Sequence, residues 1–495
     1  MTTAATSGRR RALRFGAFAC VLAALVVARA SSWLAGDRSL EELAPDYAPV
    51  AGTTELDNRA GSPFDVTARP LPAAGALPAR WLVLCWDGAT WDLVLPFLAE
   101  GRLPNLAALM RGGTYGNLLT IKPTLSPVVW TTIATGVSPA RHGVIGLQKG
   151  QAEGTRIHDP GAPLYDNADR RSKALWNILS ENGRTVLSVG YHATFPVEAV
   201  SGAMVSNYAI RREHTYGYQA PVMDEASRRP QLVYPAALWT ELEPSQRRRP
   251  RDVTWSEMRR FVDVGAADFA RLTERAARVD SAQDRWSFLL KAYLYDQFHA
   301  EAGLRLWVRS RPTVALVHFQ ALDWAGHWFL YYHWPTRFLN VPPPREPSLD
   351  ATAFRPTVRA FYEYLDEWLG RFLVQRDAET GVMILSDHGM EPVPDLAQGG
   401  HDNAPPGLLL MNGPGIPAGV RVSGVTIYDV LPTLLASLGL PLSRELPGRV
   451  IVGSPGPGQP TLETYGPYRH PRPTLGQSGM EERLREEFRA LGYIQ

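Results

Sequence analysis

Cysteine is scarce in this chain, with two among 495 residues. Cys20 lies in an N-terminal apolar segment and Cys85 lies in a short apolar run. Beyond the N-terminal segment a single cysteine remains, which excludes an internal disulfide framework. Because its neighbours are apolar, we expect the Cys85 thiol to be buried and structural rather than reactive.

An excess of charge of one sign is also missing. The chain has 51 Lys and Arg against 49 Asp and Glu, a formal net charge of +2. Five of the arginines lie within the first 30 residues, and without them 46 basic residues face 49 acidic ones, a net charge of −3. This balance excludes a broad basic surface for nucleic acid.

The N-terminal apolar run, Phe15–Ala28, has 14 residues, fewer than the roughly 20 that span a bilayer. Arginines precede it, and Ala28-Arg29-Ala30 follows as a signal-peptidase pattern. Residues 1–30 are therefore predicted to export the protein to the periplasm or the extracellular space. The alternative is a signal anchor that is not cleaved, in which residues 15–28 would be the attachment to the membrane.

Two regions of the chain alternate short apolar runs with helical segments, residues 80–191 and 312–453. Such alternation predicts an α/β core with a mostly parallel sheet covered by helices on both faces. Residues 31–79, rich in Ala, Pro and Gly, are predicted to be a linker or N-terminal extension. Residues 192–311 are predicted to be an inserted cap. Residues 454–495 are predicted to be a tail with an amphipathic helix, Met480–Leu491.

Acidic residues follow three of the apolar runs, Trp81–Trp86, Val314–Phe319 and Val382–Ser386. Open α/β sheets bind ligands at the carboxyl ends of their strands, and mixed carboxylate and imidazole ligands suit zinc-like divalent cations. The sequence therefore predicts a metalloenzyme. Its candidate ligands are Asp87, Asp323, His327, Asp387, His388 and His401.

Ser126-Pro127 marks a predicted helix start. Serine there can be a simple N-terminal cap, or its hydroxyl can lie in the positive potential of the helix terminus beside a cation and act as a nucleophile. The predicted ligands favour the second interpretation.

The same motifs occur in the same order in the alkaline phosphatase superfamily, and the chain most resembles its type I phosphodiesterase/nucleotide pyrophosphatase branch. The resemblance covers residues 80–150 and 310–440 and implies an alkaline-phosphatase-like three-layer α/β sandwich with an inserted cap. The motifs are Asp87-Gly88, Pro123-Thr124-Leu125-Ser126-Pro127, Thr135-Gly136 through His142-Gly143, Asp323 with Gly326-His327, Ser386-Asp387-His388-Gly389, and His401.

The resemblance implies two divalent cations, with zinc favoured. One would be held by Asp87, Asp387, His388 and the Ser126 oxygen. The other would be held by Asp323, His327 and His401. Ser126 would form a covalent phosphoserine, and His142 is expected to have a structural role at a helix–loop junction.

These features predict a phosphodiesterase for a small-molecule or lipid-like phosphoric ester, with no protein partner. Val128, Val129 and Trp130 after the serine would form an apolar wall that favours a diester. Two alternatives are a membrane-associated phosphoglycerol or phosphoethanolamine transferase and a metal-stabilised binding protein without activity. A sulfatase is disfavoured, because its modified residue is followed two residues later by Pro and then by Arg, and Ser126-Pro127-Val128 does not fit this pattern.

Overall fold

The computed structural model describes the chain from residue 48 to residue 470 with internal gaps. The predicted signal at 1–30 and the predicted helix Met480–Leu491 lie outside the described residues. The gaps are 51, 53, 59–64, 67–70, 74, 148, 150–164, 211–230, 277–283, 339–340, 343, 345–351, 394–395 and 454–457.

The described residues form strands and helices that we number in chain order. The strands are β1 Asp65–Val66, β2 Arg80–Trp86, β3 Gly113–Leu119, β4 Val186–Val189, β5 Gly202–Val205, β6 Val233–Tyr234, β7 Val314–Phe319, β8 Thr380–Leu385, β9 Glu391–Pro392, β10 Gly399–Gly400, β11 Gly407–Asn412, β12 Val420–Thr426, β13 Leu442–Ser443 and β14 Thr461–Leu462. The α-helices are α1 Glu55–Asn58, α2 Trp91–Ala99, α3 Pro104–Arg111, α4 Ser126–Thr135, α5 Pro139–His142, α6 Leu175–Glu181, α7 Trp239–Gln246, α8 Trp255–Met258, α9 Ala266–Ala276, α10 Arg285–Ser310, α11 Ala321–His333, α12 Thr357–Val374 and α13 Val430–Ser437.

A ten-stranded sheet organises the chain in the order β1-β12-β3-β11-β8-β2-β7-β4-β5-β6. Strands β8, β2, β7, β4 and β5 are successive parallel neighbours. Strand β11 pairs antiparallel with both β3 and β8, and β6 pairs antiparallel with β5. The prediction of a mostly parallel sheet is confirmed.

Helices cover both faces of the central strands. Every side chain of β7 and β8 is buried; since successive side chains of a strand point to opposite faces, neither face meets solvent. Helix α10 packs against β4 and β7, and α3 packs against β3 and β11. The predicted three-layer α/β class is confirmed.

The predicted cap segment, residues 192–311, contributes to this core. It supplies β5 and β6 to the main sheet and provides α10, which packs on the sheet. The N-terminal extension likewise adds β1, which pairs with β12 at one edge. The boundaries of a separate cap stay a prediction.

Strand β3 runs from Gly113 to Leu119 although it contains two glycines. Gly113 pairs with Asn412 of β11, so sheet pairing outweighs the low strand propensity of glycine.

Within the described ranges no one helix has the length and apolar character to span a membrane. Taken together, helices α2 and α3 are long and apolar enough, but the chain bends by 101° at the break between them.

Candidate functional site

The carboxyl ends of four neighbouring parallel strands bring the candidate ligands together. Asp87 follows β2, Asp387 and His388 follow β8, Asp323 lies near the start of α11 after β7, and His192 lies three residues beyond β4. Gly88 permits this approach, since its φ of +71° is left-handed and a Cβ there would lie 2.9 Å from the Asp323 Cα.

The first cluster consists of Asp87, Asp387 and His388, which are all fully buried. His388 Nε2 lies 3.2 Å from Asp387 Oδ2 and 3.7 Å from Asp87 Oδ1. The three residues offer ligand atoms that all lie within 4.8 Å of one another.

The second cluster consists of Asp323, His327 and His401, with ligand atoms in the same range. The four-residue spacing on α11 places Asp323 Oδ1 3.5 Å from His327 Nε2. The His401 ring stacks on His388 of the first cluster with a centroid distance of 4.0 Å. The two clusters therefore adjoin.

Hydrogen bonds set the tautomers of these histidines. A carbonyl only accepts, so His388 Nδ1 donates to Gly389 O and His327 Nδ1 donates to Gly399 O, both at 2.9 Å. Thr124 Oγ1 donates to His401 O at 2.5 Å and lies 3.5 Å from His401 Nδ1. With the proton on Nδ1, the neutral imidazoles of His388 and His327 present Nε2 as the nitrogen that can bind a metal.

The electrostatics of the first cluster are strongly perturbed. Burial would raise the pKa of Asp87, but the close approach of the His192 and His318 imidazoles, with the charges of His318 and His388, holds that pKa well below its ordinary value. Burial, together with the charges of Asp87 and Asp323, raises the pKa of Asp387 well above its ordinary value. Like charges crowded in a buried site are stabilised by a cation between them.

A divalent cation fits this donor set. Within the part of the chain that the structure describes, Asp387 Oδ2 and His388 Nε2 are buried and make no hydrogen bond. Their separation of 3.2 Å is close to the ~3.3 Å between two ligands of a tetrahedral zinc at ordinary bond lengths. Oxygen and imidazole donors together suit zinc-like ions.

Ser126 lies at the first cluster and does not cap its helix through its side chain. Leu125 occupies the N-cap position of α4, and Ser126 begins the helix. The Ser126 hydroxyl donates to Asp87 Oδ1 at 3.3 Å, and 4 % of the residue is exposed. The hydroxyl is therefore at the helix N-terminus and beside the carboxylates, as the nucleophile interpretation requires.

Three side chains surround Asp87 Oδ2 in contacts that were not predicted from the sequence. Trp130 Nε1 donates to this oxygen at 2.8 Å, and His318 Nε2 and His192 Nε2 lie 3.2 and 3.4 Å from it. Trp130 had a detectable signal, because four residues separate it from Ser126 on one helix face. His318 lies inside a buried strand. The one feature of the sequence that could have pointed to it is a polar residue within an apolar run.

The predicted apolar wall after Ser126 is wrong. Val128, Val129 and Trp130 are fully buried inside the fold, so a substrate cannot reach them. Thr124, which bonds to His401, instead borders an open cleft of about 450 Å³ with Lys122, Arg337 and Glu391 on its walls.

His142 has the structural role expected at the end of a helix. It closes α5, accepts from Val144 N at 3.2 Å through Nδ1, and lies 2.9 Å from Thr132 Oγ1 through Nε2. The Thr132 hydroxyl donates to Val128 O, so it accepts the His142 proton. Burial, with the nearby Arg170 charge, lowers the pKa of His142 to about 3.

This pKa predicts an acid-sensitive contribution to stability. The unfolded chain binds a proton at His142 below about pH 6.5 and the folded chain does not, so stability is lost as pH falls from 6.5 towards 3, by up to about 1.4 kcal/mol per pH unit. In urea unfolding at pH 7, 5.5 and 4.5, the stability deficit of His142→Gln relative to wild type should shrink with falling pH. His470→Gln is the control and should keep the wild-type slope; a constant deficit for His142→Gln would contradict the prediction.

An α/β sheet with adjoining carboxylate–histidine clusters at its carboxyl edge, and a serine hydroxyl in one of them, has the donor set of a centre for divalent cations. The chain belongs to the type I phosphodiesterase / nucleotide pyrophosphatase family, whose model matches residues 81–409. The predicted resemblance to this branch of the alkaline phosphatase superfamily is thereby confirmed.

Individual relatives are more distant. A 2,3-bisphosphoglycerate-independent phosphoglycerate mutase of Synechococcus sp. (strain JA-3-3Ab) is 37% identical over 110 residues, 20% of this chain and 21% of the mutase. The mutase of Cereibacter sphaeroides (strain ATCC 17025 / ATH 2.4.3) is 34% identical over 96 residues, 18% of each chain. The chain thus matches about a fifth of the length of these curated relatives.

Solved structures with a similar chain trace include a phosphonate monoester hydrolase from Silicibacter pomeroyi, with a TM-score of 0.41, 18% identity and coverage of 75% of each chain. A 2-O GAG sulfatase has a TM-score of 0.42 at 12% identity, covering 76% of this chain and 73% of its own. Family membership rests on the match over residues 81–409.

Proposed function

We propose that this protein is an exported phosphodiesterase that requires two divalent cations, with zinc favoured, and uses Ser126 as its nucleophile. The observation that carries the proposal is the Ser126 hydroxyl, which donates to Asp87 inside one carboxylate–histidine cluster while the second cluster adjoins it. Export rests on the sequence pattern of residues 1–30.

Two sets of residues would hold the cations. Asp87, Asp387, His388 and the Ser126 oxygen would bind one. Asp323, His327 and His401 would bind the other. Cations bound there would favour the serine alkoxide and stabilise the negative charge on the phosphoryl and leaving oxygens.

Ser126 performs the bond-making step. Its Oγ forms a bond to phosphorus as the phosphorus–oxygen bond to one alcohol breaks, which gives a phosphoserine diester and a free alcohol. The hydroxyl proton, which points to Asp87 Oδ1 at 3.3 Å, passes to solvent as the bond to phosphorus forms. Water then cleaves the serine ester, which restores the hydroxyl and releases a phosphomonoester.

The cleft beside Thr124 supports a substrate of low charge. Lys122 and Arg337 face three acidic side chains there, Asp92, Glu391 and Asp402, so the walls do not offer the net positive charge that attracts a polyanion. A phosphodiester carries a single negative charge. We therefore propose a small-molecule or lipid-like diester as substrate.

Metal analysis and a substrate panel test this function. Purified protein should hold two zinc ions per chain and cleave an aryl phosphodiester at least about tenfold faster than the aryl phosphomonoester or sulfate ester, judged by kcat/KM. Chelation should abolish cleavage, and added zinc should restore it. Absence of bound metal or fastest cleavage of the sulfate ester would contradict the proposal. Transfer of the phosphoryl group to an added alcohol in preference to water would favour a transferase.

A further inference from the structure

A chain of side chains joins the two carboxylate–histidine clusters behind their ligand atoms. His192 Nε2 lies 3.4 Å from Asp87 Oδ2 and 2.5 Å from Gln320 Oε1. Gln320 Nε2 in turn donates to Asp323 Oδ2 at 3.2 Å. One acid of each cluster is thus connected through two intermediate residues.

The hydrogen-bond directions along this chain are determined. Carboxylate oxygens only accept, so the Gln320 amide nitrogen faces Asp323 and its carbonyl oxygen faces His192. His192 Nε2 therefore carries a proton, which it donates to Gln320. The Gln320 backbone is also fixed, since its N–H donates to the buried Asp296 Oδ1 at 2.8 Å.

The two oxygens of each acid are consequently used differently. At Asp87, Oδ2 receives the Trp130 N–H while Oδ1 faces Ser126 and His388. At Asp323, Oδ2 receives the Gln320 N–H while Oδ1 faces His327. A hydrogen bond to one oxygen of a ligating carboxylate fixes which oxygen points to the cation.

We propose that Gln320 and His192 are positioning residues, of which Gln320 holds Asp323 in register as a ligand and His192 holds the Gln320 amide. This inference rests on the proposed function. Gln320 would set the orientation of Asp323 directly, and His192 would hold the Gln320 amide in place from the side of Asp87.

A ligand role for His192 is the competing interpretation, because Asp87, His192 and His318 could also surround an ion. Two observations favour positioning. The His192 Nε2 proton is engaged by Gln320, and Asp87 would be the single carboxylate available to a third buried cation, beside two cations already sharing the acids.

Metal affinity of matched variants tests the inference. Gln320→Met keeps the length of the side chain but removes its donor, and we expect about 10- to 100-fold weaker binding at one of the two zinc sites, measured by competition with a chromophoric chelator. The melting temperature of the metal-free protein should be unchanged. Gln297→Met makes the same substitution on α10, outside this network, and should bind zinc as wild type does.

Two His192 variants complete the test. His192→Gln retains an N–H donor and should bind zinc nearly as wild type does, whereas His192→Phe should weaken binding and alter the visible spectrum of the cobalt-substituted protein. Wild-type affinity in Gln320→Met would overturn the inference while leaving the proposed function intact. Three ions per chain, with one lost in His192→Phe, would make His192 a ligand and overturn it also. A wild type without bound cations would overturn both.

Discussion

Replacing Ser126 with alanine should reduce phosphodiester cleavage by at least about 10³-fold while zinc content stays at the wild-type level. The reason is geometric. The Ser126 hydroxyl starts helix α4 beside Asp87 and is almost fully buried, so alanine at this position leaves the first cluster without its proposed nucleophile. The cluster would keep Asp87, Asp387 and His388, which should retain the cation.

Ser138→Ala is the matched control. Ser138 also precedes a proline at a helix start, and its side chain makes no capping hydrogen bond, yet it belongs to neither cluster. Its variant should cleave at the wild-type rate.

Quenched samples of wild type with an aryl diester should contain a phosphopeptide that includes residue 126, identified by mass spectrometry. A near-normal rate in Ser126→Ala would remove Ser126 from the mechanism, whatever the metal content.

The acids of the site could be predicted from the sequence because each follows a buried apolar run. Asp87 and Asp387 directly succeed strands whose carboxyl ends must lie on one edge when the strands are parallel neighbours. Asp323 and His327 share a helix face at a spacing of four. These features depend on the spacing of residues that are close along the chain, and that spacing can be read directly from the sequence.

His318 and Gln320 could not be assigned to the site in that way. His318 meets Asp87 because β7 lies beside β2 with Cys85 opposite His318, and this lateral register is a property of the assembled sheet. The Gln320 backbone is held by a hydrogen bond from its N–H to Asp296 on helix α10, a contact between separate elements that only the folded chain makes. The prediction of an apolar wall failed for a related reason, because apolar residues after Ser126 pack inward on α4.

We expect the proposed acidic ligands to affect the stability of the fold as well. They should destabilise it when metal is absent and stabilise it when cations are bound. Asp87 and Asp387 are both fully buried, and carboxylates crowded together in such a place repel each other. Bound cations would offset that repulsion and add binding free energy to the folded state. Chelation should therefore lower the melting temperature as well as the activity.

Asp387→Asn separates these two effects. In the presence of zinc, we expect the variant to lose the cation of the first cluster and at least about 10³-fold of its activity, because one charged ligand becomes a neutral amide. In the absence of metal, the same variant should melt at a higher temperature than metal-free wild type, since it removes one of the crowded buried carboxylates. Calorimetry of both proteins with zinc and after chelation gives the four melting temperatures required.

Asp268→Asn provides the control, because it removes the same charge from an exposed position on α9 that belongs to neither cluster. It should leave zinc content, activity and both melting temperatures close to wild type. Full zinc content and activity in Asp387→Asn would show that Asp387 is not a ligand. A metal-free variant less stable than metal-free wild type would show instead that the Asp387 carboxylate contributes more to the fold, through contacts that an amide does not reproduce, than the repulsion among buried carboxylates costs. The sign of that temperature difference therefore decides whether the acids are placed here for folding or are tolerated by the fold for the sake of the cation.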